Sequence, residues 1–384
     1  MSLWLLHQVF LVAFLGFLLL IGWSNMRILP RLGAYPPARR LPRVSILVPA
    51  RDEEANIEAC VRSLVAQDYP DYEVLVLDDN SQDRTAEILA RLAARHPYLH
   101  TLTGEPLPPG WIGKNWACHQ LARAARGELL LFTDADTNHH PRCLADAVAA
   151  LTAQEADLLT AFPKQEVVTW AEQLIVPPLT WSFAFLPLRL AYRSPSPALS
   201  ITIGQFMLFR RQAYETIGGH AAVRQEVADD TVLGRNIKKY GLRWRLADGG
   251  SRIRCRMYRN FLQVFEGYSK NLFPGFDCNI SAYTLLWLWV AVAFLEPPAI
   301  LLAGLSGAAI SGLSLALAGL AVVISVLLWG LSHRRFGFPF YLALCYPLTV
   351  LLAMAIAVWS LVLTLAGRST WKGRRVVKQK VHLW

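Results

Sequence analysis

Glu128-Leu-Leu-Leu-Phe-Thr-Asp-Ala-Asp136 decides how this chain is read. An apolar run of strand length, Leu129 to Phe132, passes directly into two carboxylates, Asp134 and Asp136, spaced i, i+2. Two acids at the end of a buried strand can hold a hard divalent cation against a phosphate, because Mg²⁺ and Mn²⁺ prefer oxygen ligands and keep positions open for substrate oxygens. The same pair also suits a turn, or the cap of a helix beginning near Pro141, so the rest of the sequence must choose between the two.

Upstream, β-branched runs alternate with helical stretches. Val44-Ser-Ile-Leu-Val48 and Glu73-Val-Leu-Val-Leu77 predict strands, and Glu54 to Ala66, Thr85 to Ala94 and Lys114 to Arg126 predict helices. This βαβα order predicts an α/β fold with a mostly parallel, doubly wound sheet flanked by helices, whose ligands sit beyond the carboxyl ends of the strands. The residues there are Pro49-Ala-Arg-Asp-Glu-Glu54, Asp78-Asp-Asn-Ser81 and Thr133-Asp-Ala-Asp136. Three acidic clusters on one edge repel one another unless a cation or ribose hydroxyls offset them, which favours a nucleotide site over simple capping. No Gly-x-Gly-x-x-Gly follows the first strand and no Gly-Lys-Ser/Thr is present, which argues against a dinucleotide enzyme or a P-loop ATPase.

A further acidic pair lies in Val227-Ala-Asp-Asp-Thr-Val-Leu233, opening a helix predicted to run to Tyr240. Such acids either complement the helix dipole or supply a general base for an attacking hydroxyl. Neighbouring helical side chains point about 100° apart, so only one faces a substrate. Asp230 is the expected base, with Asp229 as a capping or positioning neighbour.

Composition places this domain at a membrane. The 384 residues are 54% hydrophobic and only 17% charged, a balance that requires apolar surface outside a soluble core. Leu3 to Trp23 is long enough to span hydrocarbon and lacks both a basic n-region and a small-x-small cleavage site, so residues 1–26 are expected to be a retained anchor. Arg27, Arg31, Arg39, Arg40 and Arg43 follow it and place the domain over residues 27–279 in the cytoplasm, at a cell (inner) membrane. Three further apolar blocks, Ser281 to Leu305, Leu313 to Leu331 and Phe338 to Leu365, predict two to three C-terminal spans within residues 280–366, with Ser332-His-Arg-Arg335 as a short cytoplasmic loop.

Residues 367–384 form a tail with Arg368, Lys372, Arg374, Arg375, Lys378 and Lys380 and no acid. Three full crossings would leave this tail outside, against its charge, so one block is expected to be re-entrant or bent, with Glu296-Pro297-Pro298 and Pro347 as the breakpoints. Because the basic residues cluster beside the spans, the net charge of +10 signals anionic lipid and no nucleic acid. Six scattered cysteines without a Cys-x-x-Cys pair predict reduced thiols and no zinc site. Trp170 to Tyr192 and Phe261 to Phe276 are unusually apolar and aromatic; these segments, near 170–192 and 260–276, are expected to lie at the interface and form the lip through which an apolar acceptor enters.

Taken in order, Val-Pro-Ala-Arg-Asp-Glu-Glu54, Leu-Asp-Asp-Asn-Ser81 with Asp83 and Thr85, Trp111-Ile-Gly-Lys-Asn-Trp-Ala117, Thr-Asp-Ala-Asp136 and Ala-Asp-Asp230 resemble the family 2 glycosyltransferases of GT-A fold, over roughly Arg43 to Gly275. The Gly-Trp-Ile-Gly-Lys-Asn-Trp-Ala stretch and the anchor-domain-spans layout are most similar to the carotenoid and hopanoid-associated branch. The resemblance implies a nucleotide-sugar donor, a membrane lipid acceptor and inverting transfer of one sugar, expected to be glucose, from a UDP-sugar. Pro49, Ala50, Asp52, Glu54 and Asp79 would line the uridine, and Lys114 would approach the sugar-phosphate. Asp134 and Asp136 would carry Mg²⁺ or Mn²⁺ on the diphosphate, and Asp230 would be the base. Asp229 stands where the family usually has Glu. The processive Gln-x-x-Arg-Trp motif is absent; Arg256-Met-Tyr-Arg-Asn260 occupies that region, where Arg259 or Arg256 would contact diphosphate or else face lipid headgroups. Within lipids the acceptor stays open: a carotenoid alcohol, hopanoid, sterol, diacylglycerol, ceramide or polyprenyl phosphate. A transporter with a nucleotide-sensing domain is disfavoured, since Glu296 is the lone acid in the spans.

Overall fold

The computed structural model describes residues 2–368, 370, 371, 374, 375 and 379–383. Lys372 and Lys378 of the basic tail lie outside the described residues. Strands are labelled in chain order: β1 Val44–Ala50, β2 Tyr72–Asp78, β3 Leu99–Thr103, β4 Leu129–Phe132, β5 Thr137–His139, β6 Leu158–Phe162, β7 Lys164–Gln165, β8 Met207–Arg210, β9 Trp244–Asp248 and β10 Ile253–Cys255.

A seven-stranded sheet runs β3-β2-β1-β4-β8-β6-β9, and a small sheet β5-β10-β7 lies beside it. The pairs β2–β3, β1–β2, β1–β4 and β6–β9 are parallel, whereas β8 runs antiparallel between β4 and β6. The sheet is therefore mostly parallel, as the βαβα order requires, with one reversed strand inserted next to β4. Period-2 alternation divides each central strand between two cores. Ile46, Val48, Leu129 and Leu131 pack on the face covered by helices Ile57–Val65, Thr85–Ala93 and Cys143–Ala153. Leu47, Leu130 and Phe132 face the helices Gly113–Ala124 and Asp229–Lys239.

That second face also receives the membrane helices. Among the described residues four helices are long and apolar enough to cross a bilayer: Leu3–Ile28, Ile280–Leu305, Gly312–Phe336 and Tyr346–Leu365. Phe336, in the last turn of the third, meets Phe162 of β6 at 5.1 Å and Phe183 at 5.5 Å. Arg335 pairs with Asp248 at the end of β9 and donates to the Leu29 carbonyl. Ser332-His-Arg-Arg335, expected as a loop, is thus helical, because its apolar neighbours continue into the domain core. Residues 170–192 form short helical pieces mostly buried between sheet and bundle: Trp181 packs on Phe294 and Trp329, and Asn25 donates to the carbonyls of Phe183 and Leu186.

The prolines act differently from expectation. Ile280–Leu305 continues through Pro297-Pro298, whereas the chain breaks at Cys345, with Pro347 in the first turn of Tyr346–Leu365, where a missing N–H costs nothing. That last helix runs antiparallel to Ile280–Leu305. Tyr346 lies opposite Phe294, Tyr283 donates to the Ala357 carbonyl, and the Phe273 N–H donates to Ser360 Oγ. The chain enters it from the domain side, where Tyr341 donates to Gln173, and afterwards returns there: the N–H groups of Ile280 and Ser281 donate to the carbonyls of His382 and Leu383. The segments flanking this helix thus contact Gln173 ahead of it and, through His382 and Leu383, the start of Ile280–Leu305 behind it.

Candidate functional site

The loops after β1 and β2 are built as one unit. Asp79 N–H donates to the Ala50 carbonyl, and Arg51 donates to the carbonyls of Asp79 and Asn80. Asp52 Oδ1 accepts from the Gln82 N–H (2.7 Å), Glu54 Oε2 from the Arg84 N–H (3.2 Å), and Asp83 Oδ2 from the Glu54 N–H (3.0 Å). Part of the repulsion expected among these acids is thus offset by the backbone donors of the opposite loop. Asp52 and Glu54 shape the edge, while Pro49 and Ala50 end β1 and Asp79 is buried beside them.

At the end of β4 the carboxylates cap nothing, because the next helix starts at Cys143 without their side chains. Asp134 Oδ1 instead pairs with Lys114 Nζ at 2.9 Å, from the first turn of Gly113–Ala124. Beneath it, Thr133 Oγ1 and Thr137 Oγ1 lie 3.0 Å apart, each within 3.1 Å of His139 Nε2, and Thr133 donates to the Gln205 carbonyl. This buried network fixes the turn that aims the acids. Asp136 Oδ1 is buried without a hydrogen-bond partner. Burial, with Asp134 and Glu53 nearby, pushes its pKa up to about 7. A buried carboxylate oxygen with no donor suits a cation. Among the described residues no group of three or more His, Cys, Asp or Glu side chains assembles.

The second acidic pair stands across Lys114. Ala228 is the N-cap of Asp229–Lys239, so both acids lie in its first turn. Asp230 Oδ2 accepts from the Gly204 N–H (2.8 Å) and Oδ1 from the Thr231 N–H (2.7 Å). A Cβ on Gly204 would stand 3.1 Å from Oδ2, so only glycine lets the backbone come this close with ease. Burial and Asp229 push the Asp230 carboxyl up to about 6. Asp229 is also buried, which works against ionisation, yet Lys114 and His220 bring it below its ordinary value. Lys114, despite its own burial, is held well above its ordinary value by Asp134 and Asp229. Lys114 thus stands between two acids, Asp134 and Asp229, with Asp230, the expected base, next to the second.

Several members of this site carry no local sequence signal. Asn115 donates to the carbonyls of Val223 and Glu226, fixing the loop before Asp229. His220, fully buried, lies 3.5 Å from Asp229 Oδ2 through Nε2 and 2.8 Å from the Tyr214 hydroxyl through Nδ1. Gly-Gly-His220 ahead of an Asp-Asp pair is the one pattern that would have pointed to it.

The two arginines separate. Arg256 forms a forked pair with buried Glu172 (3.1 and 3.2 Å), whereas Arg259 reaches across to Asn56 Oδ1 (3.0 Å), beside the loop after β1. Arg259 is therefore the one placed at the donor loops. Glu172 also accepts from the Val168 N–H and the Thr169 hydroxyl; burial opposes its ionisation, but Arg256 and these donors hold it below the ordinary carboxylate value. Glu172→Ala is expected to destabilise the fold by about 3 kcal/mol, read as a lower thermal midpoint in detergent. Because its carboxyl is held down, its contribution is present above the unfolded carboxylate range and is lost as pH falls through the folded value. Next to this pair, Trp170 and Phe261 stack at 5.6 Å, and with Val168 and Leu262 they leave an apolar edge exposed.

A family model described as Glycosyl transferase family 21 matches residues 8–261. The 4,4'-diaponeurosporenoate glycosyltransferase of Staphylococcus haemolyticus is 26% identical over 257 residues, covering 64% of this chain and 66% of its own length. The beta-monoglucosyldiacylglycerol synthase of Trichormus variabilis is 43% identical over 98 residues, 25% of this chain and 20% of its own. The chain thus spans just under two thirds of the first relative and one fifth of the second. Among solved structures, the mannosyltransferase PcManGT from Pyrobaculum calidifontis, in complex with GDP-Man and Mn²⁺, aligns with a TM-score of 0.58 at 21% identity over 94% of this chain and 99% of its own. That likeness of fold takes in the apolar helices as well as the sheet. With the family model spanning well over half of the sequence, the chain belongs to glycosyltransferase family 21, within the family 2 clade of GT-A enzymes that its strand-end acids resemble.

Proposed function

We propose that this protein transfers one sugar, with inversion, from a UDP-sugar to the hydroxyl of a hydrophobic membrane lipid. The observation that carries this reading is the line Asp134–Lys114–Asp229–Asp230, which sets a phosphate-binding end and a basic end on one sheet edge beside an apolar lip. Pro49, Ala50, Asp52, Glu54 and Asp79 would form the nucleoside pocket and Arg259 would add a donor at its rim. The residues fit a divalent cation through Asp134 and the donor-free Oδ1 of Asp136. Such a cation, Mg²⁺ or Mn²⁺, would supply charge stabilisation to the diphosphate.

The acceptor oxygen attacks the anomeric carbon from the side opposite the diphosphate. Its proton passes to Asp230 as the new C–O bond forms, and the bond to UDP breaks with its electron pair left on the phosphate oxygen. Lys114, kept as an ammonium, stabilises that oxygen. Asp229 holds Lys114 in place from the base side. The relatives named for a carotenoid acid and for a glucosyldiacylglycerol support a lipid acceptor and glucose as the sugar. Basic residues on the domain side, including Arg27, Arg31 and Lys380, support a cytoplasmic domain at the inner membrane.

Membranes carrying the protein, given a panel of UDP-sugars and extracted lipids, are expected to yield one monoglycosylated lipid by mass analysis; no glycosylated lipid with any donor would refute the reading. Turnover is expected to rise with pH through an acid limb near about 6, where Asp230 loses its proton. A rate flat from pH 5 to pH 8 would remove the base role.

A further inference from the structure

The Tyr214 hydroxyl accepts the His220 backbone N–H (3.0 Å) and lies 2.8 Å from His220 Nδ1. With its lone pair engaged by the backbone, the phenol has its proton to give, and Nδ1 is its acceptor. The neutral imidazole then carries its hydrogen on Nε2, which faces Asp229 Oδ2 at 3.5 Å. Neither of these two buried atoms has another hydrogen-bond partner. The ring is fully buried, with Phe132, the last residue of the strand that leads into Asp134 and Asp136, 4.7 Å away. A buried tyrosine, a fully buried histidine and a buried carboxylate in a row are an expensive arrangement for mere filling.

We propose that His220, its tautomer set by Tyr214, is a positioning residue for the transfer: its Nε2–H orients Asp229 between Lys114 and the base Asp230. The inference rests on the reading of Asp230 as base. Hydrogen bonds of this kind shorten as a catalytic complex assembles, and at 3.5 Å the pair has that distance to close. The logic is that of any buried acceptor fixing an imidazole tautomer, here used in reverse to fix a carboxylate. The other charged or titratable groups facing Asp229 and His220 are Lys114, Cys118 and His119 of Gly113–Ala124, Asp134 after β4, and Asp230 itself. Withdrawing the Nε2 donor leaves the ionised Asp229–Asp230 pair with Lys114 and the backbone donors of Gly204 and Thr231, one donor fewer, so the last proton of the pair leaves at higher pH.

The test is kcat against pH for the full chain in membranes, as wild type, His220→Leu, His220→Gln and Tyr214→Phe. His220→Leu is expected to lower kcat about 10- to 100-fold, with KM for the UDP-sugar within about twofold and the acid limb moved up by at least about half a pH unit. His220→Gln, whose Nε2 donor replaces that of the imidazole, is expected to restore most of kcat and the position of the limb. Equal losses in Leu and Gln with an unmoved limb would overturn the proposal, as would wild-type kinetics in Leu. If His220→Leu fails to bind UDP, Tyr214→Phe decides: a lower kcat with a raised limb supports the relay, and unchanged kinetics overturn it. Full turnover in Asp230→Asn would instead overturn the base reading beneath it, whatever the His220 variants do.

Discussion

Asp230→Asn is expected to lower turnover by about 10²- to 10⁴-fold while nucleotide-sugar binding persists. The substitution keeps size and one of the two acceptor oxygens but removes the only role that needs a free carboxylate. One amide oxygen can still accept from the Gly204 N–H at 2.8 Å, while the Thr231 N–H at 2.7 Å must find another acceptor. That exchange costs about 1 kcal/mol, too little to unfold the domain. The measurement is initial rate against acceptor at saturating UDP-sugar, with UDP binding as the control. Near-normal turnover would mean that the acceptor arrives already anionic, as a polyprenyl phosphate does, and needs no base. The variant therefore separates the two acceptor chemistries that the sequence leaves open.

The second large effect belongs to the β4 end. Asp134→Ala and Asp136→Ala are each expected to reduce turnover about 10²- to 10³-fold, and EDTA should do the same to the wild type and little more to either variant. Activity that survives EDTA would remove the metal role. The two acids differ in stability, which makes the pair more informative than either alone. Asp134→Ala strands the Lys114 ammonium, whose 2.9 Å partner is lost, so it should lower the thermal midpoint. Asp136→Asn should raise it in EDTA. With Asp136 pushed up to about 7, ionising it costs the folded state; that cost grows as pH rises from the unfolded carboxylate range towards this value and is complete above it. A stabilised but inactive Asp136→Asn protein is the expected signature of a residue kept for a ligand and not for the fold.

Much of the acidic strand-end edge was legible in the chain because its signals are local. β1, β2 and β4 are apolar runs buried on both faces, and each ends in acids that have no packing role there. Strand positions carry over almost residue for residue, since a period of 2 tolerates no slippage between two cores. β3, Leu-His-Thr-Leu-Thr, is half exposed at the sheet edge and gives no such pattern. The antiparallel β8 depends on partners distant in sequence, β4 and β6, and no periodicity reports a reversal of direction. The base side was legible only as an acidic pair. What positions it, Gly204, His220 and Tyr214, is brought in by tertiary packing, through an N–H, an imidazole and a phenol that look like ordinary loop residues in the sequence. Arg256 shows the same limit in the other direction. Its position suggested diphosphate, but its guanidinium is spent on Glu172, and only the geometry distinguishes it from Arg259.

The hairpin-like return of Tyr346–Leu365 has a consequence for the two ends of the described chain. Trp4 donates to Ser314 beside the turn that joins the two middle helices, on the face of the bundle away from the sheet, whereas His382 pairs with Asn279 against the domain. With one of the four apolar helices re-entrant, as the basic tail leads one to expect, an odd number of passages, three, separates them. A fluorescent protein fused after His382 should therefore report the compartment of the catalytic edge, and an enzyme that matures only on the opposite face should be active when fused ahead of Trp4 and silent at the other end. Under the proposed function the same parity would attach the sugar and release the nucleotide on a single leaflet, so any appearance of the glycosylated lipid on the other leaflet would require a separate flipping step.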